Sequence, residues 1–177
     1  MSTIRCAAAV ALAAGALGAG AAPALASSAE PVGRWDREYL AGTVQGARFE
    51  IAAGHVAQRH AQSATAKALA GRFVSDHSAE LKQVLALAKQ LGVNTPAGLS
   101  IAQRHEISQF SQHTGAAFDR AYVRVERTDH VQDVKDNDAE VAEGSTASVK
   151  AFAQRFLPMY RTHLELCRAA ASKLKVG

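Results

Sequence analysis

The chain has 177 residues, with 20 Lys and Arg against 16 Asp and Glu and a formal net charge of +4. The basic residues are scattered among acids and alanines, with no Lys/Arg block interleaved with aromatics, so the pattern indicates no nucleic-acid binding. There are two cysteines, Cys6 and Cys167. Cys6 lies in a segment expected to be removed, which excludes an intrachain disulfide in the mature protein.

Arg5 is followed by a run of almost pure Ala, Val, Leu and Gly from Cys6 to Leu25. Ala24-Leu25-Ala26 is a small-x-small cleavage signal, with Ser27 and Ser28 behind it. This pattern predicts a secretory signal peptide over residues 1–26. Gly15, Gly18, Gly20 and Pro23 suit a permanent membrane helix poorly. The expectation is an exported protein, periplasmic or in the cell envelope, with no stable membrane span after cleavage. Residues 27–34 read as a flexible leader. The mature chain of roughly 150 residues is enough to bury a core, and residues 35–177 are expected to form its one domain.

The first helix is predicted from about Trp35 to Ala61, with the apolar stripe Leu40, Val44, Ala47, Ile51 and Gly54. Ser63 is the N-cap of a second helix that runs to about Leu91, where Gly92 ends it. Asn94-Thr95-Pro96 makes a turn. Ser100 and Gln103 form a capping box for a third helix. Its core face is Ile107, Phe110, Ala117, Phe118, Ala121, Tyr122 and Val125. It is predicted to continue to Ala142, with a break near Asp136-Asn137-Asp138. Gly144 and Ser145 separate it from a fourth helix over about Thr146–Leu174, kinked at Pro158. Two-residue alternation is absent, so no sheet is expected. Four long amphipathic helices make an all-α, antiparallel four-helix bundle.

Two histidines stand out. His77 lies among Ala70, Phe73, Val74, Leu81, Val84, Ala88 and Leu91, and His163 among Val149, Phe152, Phe156, Met159, Tyr160, Leu166 and Ala170. Both point near the middle of an apolar stripe. A buried imidazole requires a hydrogen bond or a metal at each ring nitrogen. Counted from the first turn at 1.5 Å per residue, Glu50 and His77 fall at nearly the same height. Glu50 sits on the flank of its stripe, about 70° from the centre. His163 falls within a turn of that layer.

The third helix gives conflicting counts. From its far end, His130 comes to the layer; from its near end, His113 does. Asp119 and His130 are about 16 Å apart along the axis and cannot share one ion. A Glu/His set from several bundle helices is suited to zinc, copper or iron. A ferritin-type di-iron centre is not expected, because Val74 and Tyr160 stand where Glu-x-x-His would need glutamates. His55, His60, His105 and His113 read as surface residues. Cys167 reads as a small buried hydrophobe. There is no nucleophile elbow and no phosphate loop. A redox enzyme would need an open coordination position and a substrate path. The competing reading is a non-catalytic envelope interaction or stress-related protein whose core histidines are simply hydrogen-bonded.

Several segments occur together in order: Phe49-Glu50-Ile51-Ala52-Ala53-Gly54, Phe73-Val74-Ser75-Asp76-His77, and Gly115-Ala116-Ala117-Phe118-Asp119-Arg120-Ala121-Tyr122 with His130 after it. Phe152-Ala153 and Leu157-Pro158 then lead to His163. In these the chain resembles the bacterial domain-of-unknown-function 4142 family. The resemblance implies an exported, ferritin-like bundle with recurring polar positions at Glu50, His77, Asp119, His130 and His163. It makes Glu50, His77, His130 and His163 the candidate ligands, with Asp119 behind them or replacing one in another register. Members often carry an outer-membrane label, but no β-barrel pattern is present here.

Overall fold

The computed structural model describes residues 31–177. The expected signal peptide and the first part of the leader lie outside the described residues. Five helices follow: α1 (Arg34–His60), α2 (Ala64–Gln90), α3 (Ile101–Ser111), α4 (Gly115–Glu143) and α5 (Ala147–Leu174). The described residues contain no strand. None of their helices is long and apolar enough to cross a membrane.

The expected third helix is in fact two. The capping box is present, with Ser100 accepting from the Gln103 amide at 3.1 Å and the Gln103 side chain accepting from the Ser100 amide at 3.0 Å. It opens the short α3 rather than the long α4. The break comes just before Gly115, which sits at φ 61°. Glycine adopts this left-handed conformation without a Cβ penalty. The expected break at Asp136-Asn137-Asp138 does not occur, and α4 runs straight through it. Asn137 is held there by donating to the Asp133 carbonyl and accepting from the Tyr39 hydroxyl, both at 2.8 Å. α5 is likewise continuous through Pro158, whose ring lies on the exposed face.

α1 and α2 form one antiparallel hairpin, and α4 and α5 the other. Asp36 at the start of α1 reaches the α4–α5 turn, while Asp119 at the start of α4 reaches the α1–α2 turn. α1 therefore runs antiparallel to α4, and α2 and α4 run in the same direction. Residues 91–114 must return the length of the bundle between them, and α3 makes that passage against α1 and α4. One long crossover in a four-helix bundle is the ferritin-like arrangement.

Two apolar clusters fill the bundle. One holds Phe73, Phe118, Tyr122 and Cys167; the other holds Leu40, Val84, Phe156 and Tyr160. Between them lies a fully buried polar layer of Glu50, His77, Glu80, Glu126, His130 and His163. Small residues bring the helices together there. A Cβ on Gly54 of α1 would meet Val74 Cγ2 of α2 at 2.6 Å.

Candidate metal centre

Three helices each place one imidazole in the polar layer. α2 supplies His77, α4 His130 and α5 His163, each at most 1 % exposed. Their side chains converge. His77 Nε2 lies 3.4 Å from His130 Nε2, and His130 Nε2 lies 3.1 Å from His163 Nδ1. Phe73 covers one side of the cluster, 4.5 Å from the ring centres of both His130 and His163. Tyr160 covers the other, 5.8 Å from His77.

The contacts of the outer nitrogens select the tautomer of each neutral ring. His77 Nδ1 lies 2.8 Å from a Glu80 carboxylate oxygen, His130 Nδ1 2.8 Å from the Glu126 carbonyl oxygen, and His163 Nε2 2.9 Å from an Asp76 carboxylate oxygen. Carbonyl and ionised carboxylate oxygens only accept, so each outer nitrogen donates. A neutral imidazole then has only a lone pair on its other nitrogen. With all three rings neutral, three lone pairs face one another with no proton between them. Simple hydrogen bonding accounts for the outer nitrogens and leaves the inner three unsatisfied.

A proton is a poor filler for that gap. Burial, with His77 and His163 beside it, pushes His130 well below the usual histidine range. Burial and His77 push His163 down to about 4. A divalent ion fits better. Two nitrogens bound about 2.0–2.1 Å from a tetrahedral ion stand about 3.3 Å apart, close to the 3.1 and 3.4 Å found here. A carboxylate or carbonyl behind each ligating histidine is the usual support of such sites.

Glu50 is also in the layer, but not beside His77 as height counting suggested. Its Oε1 lies 3.8 Å from His130 Nδ1, and Glu126 Oε2 lies 3.9 Å from the same nitrogen. The acid partner of His77 is Glu80, on its own helix. Glu50 belongs instead to a second group with Glu126 and His130. Burial, and the facing Glu126, push the Glu50 carboxyl well above the usual range. Burial likewise raises Glu126.

Asp119 is not near the site. Its two carboxylate oxygens accept from the backbone amides of Gln62 at 3.0 Å and Ser63 at 2.7 Å, closing the start of α2. Cys167 is buried in the apolar cluster above the layer, where burial pushes its thiol up, and it joins neither candidate ligand group. His55, His60, His105 and His113 are exposed, as expected.

A family model described as "Domain of unknown function (DUF4142)" matches residues 21–170. The chain belongs to the DUF4142 family. The DUF4142 bundle is similar in fold to a solved DUF305 fragment from Deinococcus radiodurans, with a TM-score of 0.72. That likeness covers 81% of this chain and 99% of the fragment at 12% sequence identity. No curated protein matches the chain.

Three residues around the histidines lie outside the ligand set read from the sequence: Glu80, Glu126 and Asp76, the last expected at the surface or in an ion pair to a neighbouring helix. Each had a local signal. Glu80 follows His77 by three residues and Glu126 precedes His130 by four, so each shares a helix face with its histidine. Asp76 is tied to Arg72 as well as to His163. An apolar stripe does not reveal such residues, because all of them are polar.

Proposed function

We propose that this DUF4142 protein is exported and holds a transition-metal ion on His77, His130 and His163 in the core of its bundle. The observation that carries the reading is the set of three outer nitrogens tied to oxygen acceptors, which turns three lone pairs toward one point. Neutral imidazole ligands suit zinc, copper or iron. Phe73 and Tyr160 keep the point dry, which favours a tightly held ion over rapid exchange. The export half rests on the Arg5 start, the apolar run and the Ala24-Leu25-Ala26 signal.

Elemental analysis of protein purified without chelators tests the metal half. One equivalent of zinc, copper or iron per chain is expected, together with a rise in melting temperature when the stripped protein receives the metal. A metal-free preparation that no transition metal stabilises overturns it. Cell fractionation with intact-mass measurement tests export. The expected mass is that of a chain beginning near Ser27, and an uncleaved cytoplasmic chain rejects it.

A further inference from the structure

We infer that Glu50 and Glu126 form a second cation site, lined by oxygen atoms and entered through the acidic pocket between α1, α3 and α4. It is separate from the imidazole cluster and lies at the opposite edge of the His130 ring. His130 turns Nε2 to the other histidines and Nδ1 toward the two carboxylates.

Both glutamates are at most 1 % exposed. None of their four carboxylate oxygens, nor the hydroxyl of Tyr122 one turn before Glu126 on the same helix, makes a hydrogen bond of ordinary geometry to a group outside this trio, and the three side chains adjoin one another. The carboxylates come within 4.8 Å of each other. Two unpartnered buried carboxylates need something positive between them, either a shared proton or a cation.

The route in favours a cation. Glu50 lines a pocket of about 260 Å³. The acids of its wall are Glu106 from α3 and Asp129 and Asp133 from α4, with Gln45 and Gln103 among the remaining lining. No lysine, arginine or histidine lines it. Such a mouth concentrates cations and delivers them to the one buried wall residue with free lone pairs. Carboxylate, hydroxyl and water oxygens suit a hard divalent ion such as manganese or magnesium, unlike the imidazole cluster.

Manganese is the probe. Stripped full-length protein is titrated with Mn²⁺ while the free-ion electron paramagnetic resonance signal is followed, with and without one prior equivalent of zinc. One bound manganese per chain is expected in both cases. Glu50→Gln with Glu126→Gln should lose that ion while keeping its zinc and its helical circular dichroism. Pulsed measurements on the wild type give a readout that needs no variant. Weak nitrogen coupling supports the oxygen site, whereas strong coupling from several imidazoles places the manganese in the histidine cluster and overturns the proposal. Absence of manganese binding also overturns it and leaves a proton-sharing pair. Failure of the zinc site alone leaves the manganese result standing, so the two readings are judged apart.

Discussion

Asp36 and Asp119 do the same work at opposite ends of the bundle. Asp36 accepts from the amides of Ser145 and Thr146 at 3.0 and 3.1 Å, and Asp119 from those of Gln62 and Ser63. Each lies near the start of the first helix of one hairpin and closes the turn of the other. One sequence offset relates Asp36 to Asp119, Tyr39 to Tyr122, Ser63 to Thr146 and Phe73 to Phe156. The two hairpins thus carry matching residues at matching places, in a near-twofold frame.

Asp119 is therefore a fold residue. Asp119→Ala leaves the part-buried amides of Gln62 and Ser63 without their carboxylate partner, a loss of up to about 1–3 kcal/mol each, less where water replaces the carboxylate. Urea unfolding should show a drop in that range, while zinc stoichiometry stays at the wild-type value. Lost zinc in a fully folded variant would return Asp119 to the ligand set.

The frame was legible in the sequence and the interior of α4 was not. Apolar periodicity located α1, α2 and α5 because Leu40, Val44, Phe73, Val84, Phe152 and Phe156 mark their buried faces. On α4 the last fully buried apolar residue is Val123, and the fully buried residues beyond it are Glu126, His130, Asn137 and Glu140. A polar inward face reads as a flank on a hydrophobicity count, so apolar periodicity does not mark His130 as it marks His77 and His163. The unseen break before Gly115 added a second error, because it joined α3 to α4 and made the height counts disagree. With α4 beginning at Gly115, the count from the α4–α5 turn is the valid one, and it reaches His130. Glu50 is a related case: hydrophobicity assigns Ile51 to the buried stripe and Glu50 to its flank, yet Glu50 is the more buried of the two.

His130 is central to the imidazole cluster, being the ring that approaches both others. His130→Ala should lower zinc affinity at least about 100-fold, and His105→Ala on the exposed face should leave it unchanged. Zinc at one hundred times its Kd stabilises a folded protein by about 2.7 kcal/mol. The wild type should gain that much in a zinc-dependent unfolding series and His130→Ala should gain almost nothing. Equal gains in both would remove His130 from the site.

The carboxylate pair gives the metal-free protein a pH dependence of definite sign. Burial raises Glu126 from 4.5 to about 8. The native state then keeps a proton that the unfolded chain releases, so the contribution is full below 4.5 and is lost as pH rises toward 8. Glu126→Gln cannot titrate. Its stability relative to wild type should climb steadily over that window, measured by urea unfolding in the presence of a chelator. A constant difference across the window would show that Glu126 titrates normally.

Gly54 tests the closeness of α1 and α2. An added Cβ would lie 2.6 Å from Val74 Cγ2 and 3.2 Å from the Ala70 carbonyl oxygen. Alanine ordinarily favours a helix over glycine by about 1 kcal/mol, but overpacking costs about 1–3 kcal/mol. The carbonyl cannot rotate away as a side chain can, so packing should decide the sign. Gly54→Ala is expected to lower the melting temperature, and Gly54→Ala with Val74→Ala to recover part of the loss. A more stable single variant would mean that the helices separate at little cost.

The carboxylates behind the histidines should differ in their tolerance of an amide. Asp76 uses one oxygen, Oδ2, for both His163 and Arg72. In Asp76→Asn the new side chain can present its single carbonyl oxygen to both donors and turn its NH₂ toward solvent, since Asp76 is 22% exposed. Glu80 uses two oxygens, Oε2 for His77 and Oε1 for the Tyr160 hydroxyl, in a fully buried position. In Glu80→Gln the amide must set its NH₂ against one of those two donors. Loss of a supporting carboxylate typically weakens metal binding 10–100-fold. Asp76→Asn is expected near the lower end of that range with stability little changed. Glu80→Gln should reach the upper end and lose about 1–3 kcal/mol as well. Adding Tyr160→Phe to Glu80→Gln removes one of the two donors and should restore part of the stability, because the amide oxygen can then face His77 alone while its NH₂ no longer opposes a donor. Zinc titration and urea unfolding of the three variants check the order, and a Tyr160→Phe change that fails to rescue Glu80→Gln would break the link from Tyr160 through Glu80 to His77.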